Sequence, residues 1–495
     1  PISEAAVKAL NTCYTYLGNM DEQLYCEAMT DNAYTKQPND FTQNIGNGSY
    51  STADSYVKQV WDGRYTGIRM CNQLLENIDR VPDLDPELKK RYIGEAKVLR
   101  AYSYYELYTK FGDIPYTTKV LSIKESMSIA RTAKATVIVN ILADLDEVIN
   151  GNYLPTSYDA DNKGRITRWA AMAIKAKIYL FEGNWTQVKN ITSTIMTEGG
   201  FKLFGSYAGL FEIANEYNSE VILDAQYRPT SREHQMMYVF LPPTLGGYSQ
   251  LSPLQELVDS YIMLDGKTIK ETGTSFDESH PYANRDPRLK ATVMYTGNSY
   301  TLADGTEVVI NCEKGEGKDG YGVGSDCSAT GYYIKKYWDN TYRATLYSGL
   351  NPILIRYADI LLMNAEALAE LGELDKTAWD ATIKPIRNRA GFTLASALEF
   401  PEGASKDKLI EIVRNERRSE LALEGHRHKD IIRWRIADNV LNGWCHGLKT
   451  NDVVGTDDGY VRVENRTFNA NRHYLWPIPQ AERDLNGNLE QNPNW

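Results

Sequence analysis

The segment NERRSELALEGHRHKDIIRW, residues 415–434, holds nine charged side chains and two histidines in twenty positions. Three chemistries could use such a cluster: metal ligation by the histidines, acid–base work by the glutamates, or phosphate binding by the arginines. Spacing argues against the first. His426 and His428 are two residues apart and follow Gly425, so they point apart on any helix and lack the i, i+4 geometry of a chelating pair. Balance of sign argues against the third, because Arg417, Arg418, Arg427, Lys429 and Arg433 are nearly cancelled by Glu416, Glu420, Glu424 and Asp430. The three glutamates are spaced one helical turn apart, and arginine forks meet carboxylates at two points. The expectation is a largely buried ion-pair lattice that pins a helix to its surroundings, with no ligand chemistry.

Two other stretches have the outline of a binding motif. GEGKDG places Gly315, Gly317 and Gly320 at GxGxxG spacing, but the following YGVGSDC cannot supply the helix whose N-terminus would hold a pyrophosphate, so a plain loop is expected. DADNKGRI, residues 159–166, has Asp159, Asp161 and Gly164 at calcium-loop positions. Lys163 stands at the fifth position and Ala170 where the bidentate acid belongs, so a turn leading into a helix is the better reading. Paired carboxylates of the kind that hydrolyse glycosides remain open, since their separation in space is not legible in a sequence. No GxSxG, HExxH or P-loop pattern occurs, which favours a protein without catalysis, metal or cofactor.

Composition narrows the class further. The chain has 495 residues, 42% apolar and 24% charged, enough to bury a sizeable core. A net charge of −11 disfavours nucleic acid and anionic membrane surfaces, and no apolar run is long enough for a membrane helix. Tyrosine outnumbers phenylalanine 34 to 11, which favours half-exposed rings with a polar edge. The six cysteines have no CxxC spacing; Cys312 and Cys327 could close a loop or remain free thiols.

The elements that must position any site are mainly helical. Asp85-Pro86-Glu87 opens a long amphipathic helix that stops at Gly112, and Val57, Trp61, Tyr65, Ile68 and Leu75 mark an antiparallel partner after a start at Ser51 and Thr52. Residues 170–195 and 356–391 each run a small-residue helix into a glycine, Gly183 or Gly372, and start a second helix, the layout of tetratricopeptide-type hairpins. Trp61, Trp169, Trp185 and Trp434 belong to these stripes and are assigned to the core, while Trp338 stays ambiguous. The expected fold class is mostly α: a single unit with helical scaffold at 1–205 and 350–440 and a loop-rich insertion at 206–349. That insertion carries minor β structure near Glu307–Asn311 and Gly331–Lys335, and residues 441–495 read as irregular.

Six blocks in order carry a resemblance. EAKVLRAYSYYELYTKFGDIPY (95–116), RWAAMAIKAKIYLFEGNW (168–185), NRDPRL (284–289), LIRYADILLMNAEAL (354–368), ERRSELALEGHRHKDIIRW (416–434) and YLWPIPQAERDLNGNLEQNPNW (474–495) resemble the SusD/RagB family. The resemblance implies a non-catalytic lipoprotein on the outer face of the Bacteroidetes outer membrane, anchored through an N-terminal lipid on a cysteine that lies outside this sequence. It implies a SusC-like TonB-dependent transporter as partner and an oligosaccharide or polysaccharide ligand, with peptide capture in some branches. An extracellular glycoside hydrolase is the alternative from another class.

The family's ligand residues come from variable loops, so none transfers by position. Sugar rings offer a face of CH groups to an aromatic ring and hydroxyls to polar neighbours, which directs the search to aromatics in polar loops. The candidates are Tyr34, Phe41 and Tyr50 beside Asn39, Asp40 and Asn44, then Tyr238 and Tyr248, then Phe276 and Tyr282. Two or three of these rings are expected to converge.

Overall fold

Helix boundaries follow local chemistry. In the computed structural model, which describes residues 3–36, 42–342 and 345–495, the helix Pro86–Phe111 begins where Asp85 Oδ1 accepts from the Glu87 and Leu88 amides at 3.0 Å each. It ends at Gly112, whose φ of +72° a side chain would oppose. Its antiparallel partner is Ser55–Asn77, which starts later than the Ser51/Thr52 signal suggests. Asp54 is the cap, its carboxylate accepting from the Tyr56 and Val57 amides at 3.0 and 3.1 Å. Further helices Arg168–Phe181 and Trp185–Glu198 turn at Gly183, and Tyr357–Leu371 turns at Gly372 toward Lys376–Ala381 and Ile383–Ala390.

The helices enclose one large apolar core in which Trp61, Phe111, Trp169 and Ile174 are buried. Trp185 lies half-buried against the same core. Trp476, delivered by the C-terminal segment, completes it, its ring edge-on to Phe111 at 5.8 Å. A second core lies under the loops of the insertion, built from Phe240, Tyr261, Tyr300, Tyr332 and Tyr333, and also buries Met20, Leu24 and Tyr25 from the N-terminal region.

Sheets are small and antiparallel among the described residues. Ala33–Thr35 pairs with Leu251–Pro253, Val221–Asp224 with Ile353–Arg356, Val293–Met294 with Tyr333–Ile334, and Ser299–Thr301 with Glu307–Val309. Residues 441–495 are more regular than their composition suggests. There Tyr460–Arg466 lies between Gly443–Lys449 and Thr456–Asp457 in a three-stranded sheet.

The charged segment 415–434 is the clamp between scaffold and insertion. Arg356, at the start of its helix, donates to Glu424 at 2.8 and 2.7 Å, and to Glu220 and Glu420 at 2.7 Å each. Arg288 reaches Glu416 at 2.7 Å and Glu420 at 2.8 Å, and Arg417 reaches Asp359 and Asp430 at 2.6 and 2.7 Å. Arg427 holds Asp31 at 2.8 and 2.9 Å, and Arg433 holds Glu366. All of these carboxylates are buried. One detail differs from the sequence reading: the helix Lys406–Glu420 stops at Glu420, so Glu424 is not on its face. A left-handed Leu423, φ +62°, turns Glu424 back toward Arg356 and Lys336.

The remaining motifs are structural. Asp159 caps a single turn, Ala160–Asn162, and Thr167 caps the next helix by accepting from the Ala170 amide at 3.2 Å. Gly315 and Gly317 take positive φ within a run of turns. Cys312 and Cys327 are both free, buried thiols.

Candidate functional site

A cleft of about 700 Å³ opens where the N-terminal helices meet the insertion. Its walls come from Tyr16 and Asn19, from Gln59 and Arg64 on the helix Ser55–Asn77, from Tyr227 and the stretch Arg232–Gln235, and from Tyr347. Each wall is set by local bonding. Asn19 Oδ1 accepts from the Glu22 amide at 2.7 Å, starting the short helix Met20–Tyr25 at the cleft floor. Arg64 donates to the Tyr16 and Leu17 carbonyls at 2.8 and 3.3 Å and pairs with Glu22.

On the insertion side, Arg228 and Arg232 close a tight turn through mutual backbone bonds of 2.9 Å. His234 and Ser348 exchange backbone bonds of 2.9 and 3.0 Å, which fixes the neighbouring Tyr347. His234 Nε2 lies 3.2 Å from the Leu350 carbonyl, and burial pushes this imidazole down to about 4, so it is neutral and structural. The Arg232 guanidinium covers the Tyr227 ring at 4.9 Å.

Tyr347 belongs to a second feature at the same mouth. Tyr238 and Tyr248 are stacked with centroids 5.9 Å apart and planes 16° apart, and Tyr347 stands edge-on to Tyr238 at 6.4 Å and 90°. The chain returns Tyr248 over Tyr238 through a turn that requires glycine. A Cβ on Gly247 would lie 2.0 Å from the Leu241 carbonyl oxygen. Tyr248 N then donates to Tyr238 O at 2.8 Å, and the Tyr238 hydroxyl donates to Thr345 O at 2.9 Å. Tyr248 is 47% exposed and Tyr347 38%. The residues beside them, Ser249 and Leu346, have φ of +44° and +52°, conformations that non-glycine residues rarely hold and that concentrate where side chains must be aimed.

Of the sequence candidates, the structure therefore brings Tyr238 and Tyr248 together. Tyr50 is corrected: it is 4% exposed, enclosed by Trp495 at 4.8 Å and His473 at 5.2 Å, because the C-terminal segment folds back over it. Tyr282 is likewise engaged in packing, stacked on Tyr295 at 4.1 Å with its hydroxyl 3.1 Å from that of Tyr332. Phe276 is half-buried beneath the Arg285 guanidinium at 5.5 Å. Tyr34 lies half-buried in the strand Ala33–Thr35, its hydroxyl accepting from Gln43 at 3.2 Å, and Asn44 is turned to Asp54. Phe41, Asn39 and Asp40 lie outside the described residues. Trp338 is half-buried, its indole donating to Thr301 O at 2.8 Å.

Sequence reasoning missed Tyr16, Tyr227 and Tyr347. The signal was present for Tyr347, an aromatic in the polar, glycine-bearing stretch TLYSGLN, but nothing local connects that stretch to Tyr238.

The fold is a helical scaffold with a tyrosine-lined cleft on its loop-built side. Residues 210–495 match the model of the SusD family, and residues 4–180 match a model described as starch-binding associating with outer membrane. The chain belongs to the SusD family. A SusD-like protein P25 of Formosa agariphila is 27% identical over 409 residues, 78% of this chain and 71% of its own. A SusD-like carbohydrate binding protein from Bacteroides fragilis superposes with a TM-score of 0.88 at 29% identity over 99% of both chains. A laminarin binding SusD-like protein shares the fold at a TM-score of 0.75 and 24% identity over the full length of both.

Proposed function

We propose that the protein captures an oligosaccharide in the cleft, the sugar lying against Tyr347 and Tyr248 at its mouth. The observation that carries this reading is the meeting at one cleft edge of Tyr347 with the Tyr238–Tyr248 pair from about a hundred residues away, two of the three rings exposed and aimed by strained neighbours. Exposed rings of this kind are the usual surface for the CH face of a pyranose, and Asn19, Gln59 and Gln235 at the cleft supply amides for its hydroxyls. Family membership and the carbohydrate-binding description of the Bacteroides fragilis relative support the same ligand class.

In this reading the protein is non-catalytic and hands its glycan to a SusC-like TonB-dependent transporter at the outer membrane, held there by a lipid anchor. The description of the matched N-terminal model, associating with outer membrane, supports that location. Isothermal titration against a panel of neutral oligosaccharides tests the binding role. At least one glycan binds, and Tyr347→Ala and Tyr248→Ala each weaken it roughly 30-fold, the loss expected of an aromatic anchor worth about 2 kcal/mol. Silence across the panel, or cleavage of a bound glycan, overturns the reading.

A further inference from the structure

Behind the cleft floor lies a smaller chamber of about 90 Å³, several times the roughly 10–15 Å³ that one water requires. It shares Gly18, Asn19, Glu22, Tyr56 and Arg64 with the cleft, so the Arg64–Glu22 ion pair stands at their common boundary. The chamber collects polar groups that the protein leaves unmatched. Among the described residues, the hydroxyls of Tyr56, Tyr102 and Tyr105 and the imidazole of His428 make no hydrogen bond, and buried Gln23 Oε1 has no partner. Gln23, Tyr56 and Tyr105 are only 6, 7 and 5% exposed. A buried acceptor such as Gln23 Oε1 costs stability unless something else satisfies it.

Charge says what that would be. Lys110 and Lys429 share one carboxylate, Glu106, each at 2.7 Å, while Arg64 has Glu22. Three cations thus face two acids. Lys177 and Glu424 also line the chamber but are matched, by Asp359 and by Lys336 and Arg356. Burial, followed by the neighbouring lysines, pushes His426 and His428 down to about 3, so both are neutral and each keeps one N–H to donate.

We infer that the chamber is a binding site for an oxyanion: a carboxylate, sulfate or phosphate group seated among Lys110, Lys429, Tyr102, Tyr105 and His428. One more negative charge neutralises the local excess and accepts from the phenol and imidazole donors, and Gln23 Oε1 remains to accept from a hydroxyl on the same ligand. The anion can arrive free or as the charged group of an acidic sugar entering from the cleft.

Calorimetric titration of the intact protein at low ionic strength with sodium sulfate, glucuronate and an uncharged oligosaccharide tests this. Sulfate and glucuronate are expected to bind saturably at one site. Lys429→Met weakens both at least tenfold, whereas Lys376→Met, at an exposed lysine away from the chamber, leaves them unchanged. Tyr102→Phe with His428→Gln retains every permanent charge and serves if Lys429→Met fails to fold; it too weakens both anions. Tighter binding of glucuronate than of sulfate assigns the site to acidic glycans, and equal binding assigns it to free anions. No saturable binding of either anion, or equal binding by the chamber variants and wild type, overturns the inference. Sulfate binding alongside silence toward every oligosaccharide leaves the chamber standing and removes only the glycan reading.

Discussion

Tyr50 and Tyr347 show how little a residue's identity says about its use. Both are tyrosines in polar, glycine-bearing stretches, yet Trp495 and His473 close over one ring while the other stands exposed at the cleft mouth. Their alanine variants should therefore fail in opposite ways. Tyr50→Ala removes a fully packed aromatic and should lower stability by about 3 kcal/mol, read by chemical denaturation, while glycan affinity in the folded fraction is retained. Tyr347→Ala should leave the denaturation midpoint within error of wild type and lose most of the affinity. A lowered midpoint for Tyr347→Ala with intact binding would show that the ring packs and does not recognise.

At the scale of elements, the three-stranded sheet of the C-terminal segment is tied to the insertion by the Leu448 N to Thr330 O bond, by Lys449 with Glu278, and by one histidine whose charge depends on pH. His446 Nδ1 lies 2.7 Å from Glu256 and Nε2 lies 2.8 Å from Asp457, so two carboxylates face one ring. The bond to Glu256 chiefly, aided by that to Asp457, raises His446 to about 9. Because the folded value lies above the ordinary histidine value of about 6.5, this clasp contributes fully below pH 6.5 and is lost as pH rises through about 9. Denaturation midpoints of wild type and His446→Gln should converge between pH 7 and 10 and differ most near pH 6. A difference that is constant with pH would mean that the ring is held by packing alone.

The whole molecule depends on its buried lattice, where Glu420 alone meets Arg288, Arg356 and Arg389. Burial by itself would raise Glu420, but the three guanidinium groups outweigh it and hold the carboxyl well below its usual range. A depressed carboxylate gives stability that is present above about pH 4.3 and lost as pH falls through the folded value, so acid unfolding should set in steeply below pH 4. Glu420→Ala should cost about 3–5 kcal/mol by stranding arginines, with sugar preference unchanged in whatever folds. If the variant melts like wild type, the lattice is not what joins insertion to scaffold. Much of this was legible in the sequence. Capping residues, glycine stops and apolar periodicity are local signals, and they set the helix Pro86–Phe111, the hairpin at Gly183 and the mixed-sign segment as architecture. The cleft was not legible, because its walls come from residues 15–25, 56–64, 227–235 and 347, and only the burial of the insertion's own core brings them together. Sequence alone determined which segments are helical and that the mixed-sign segment is architecture; tertiary packing decided which charges pair, because Arg288, Arg356, Asp359 and Asp31 reach the segment from far along the chain, and which tyrosines remain in water, since exposure is a property of what folds over a ring and not of the ring.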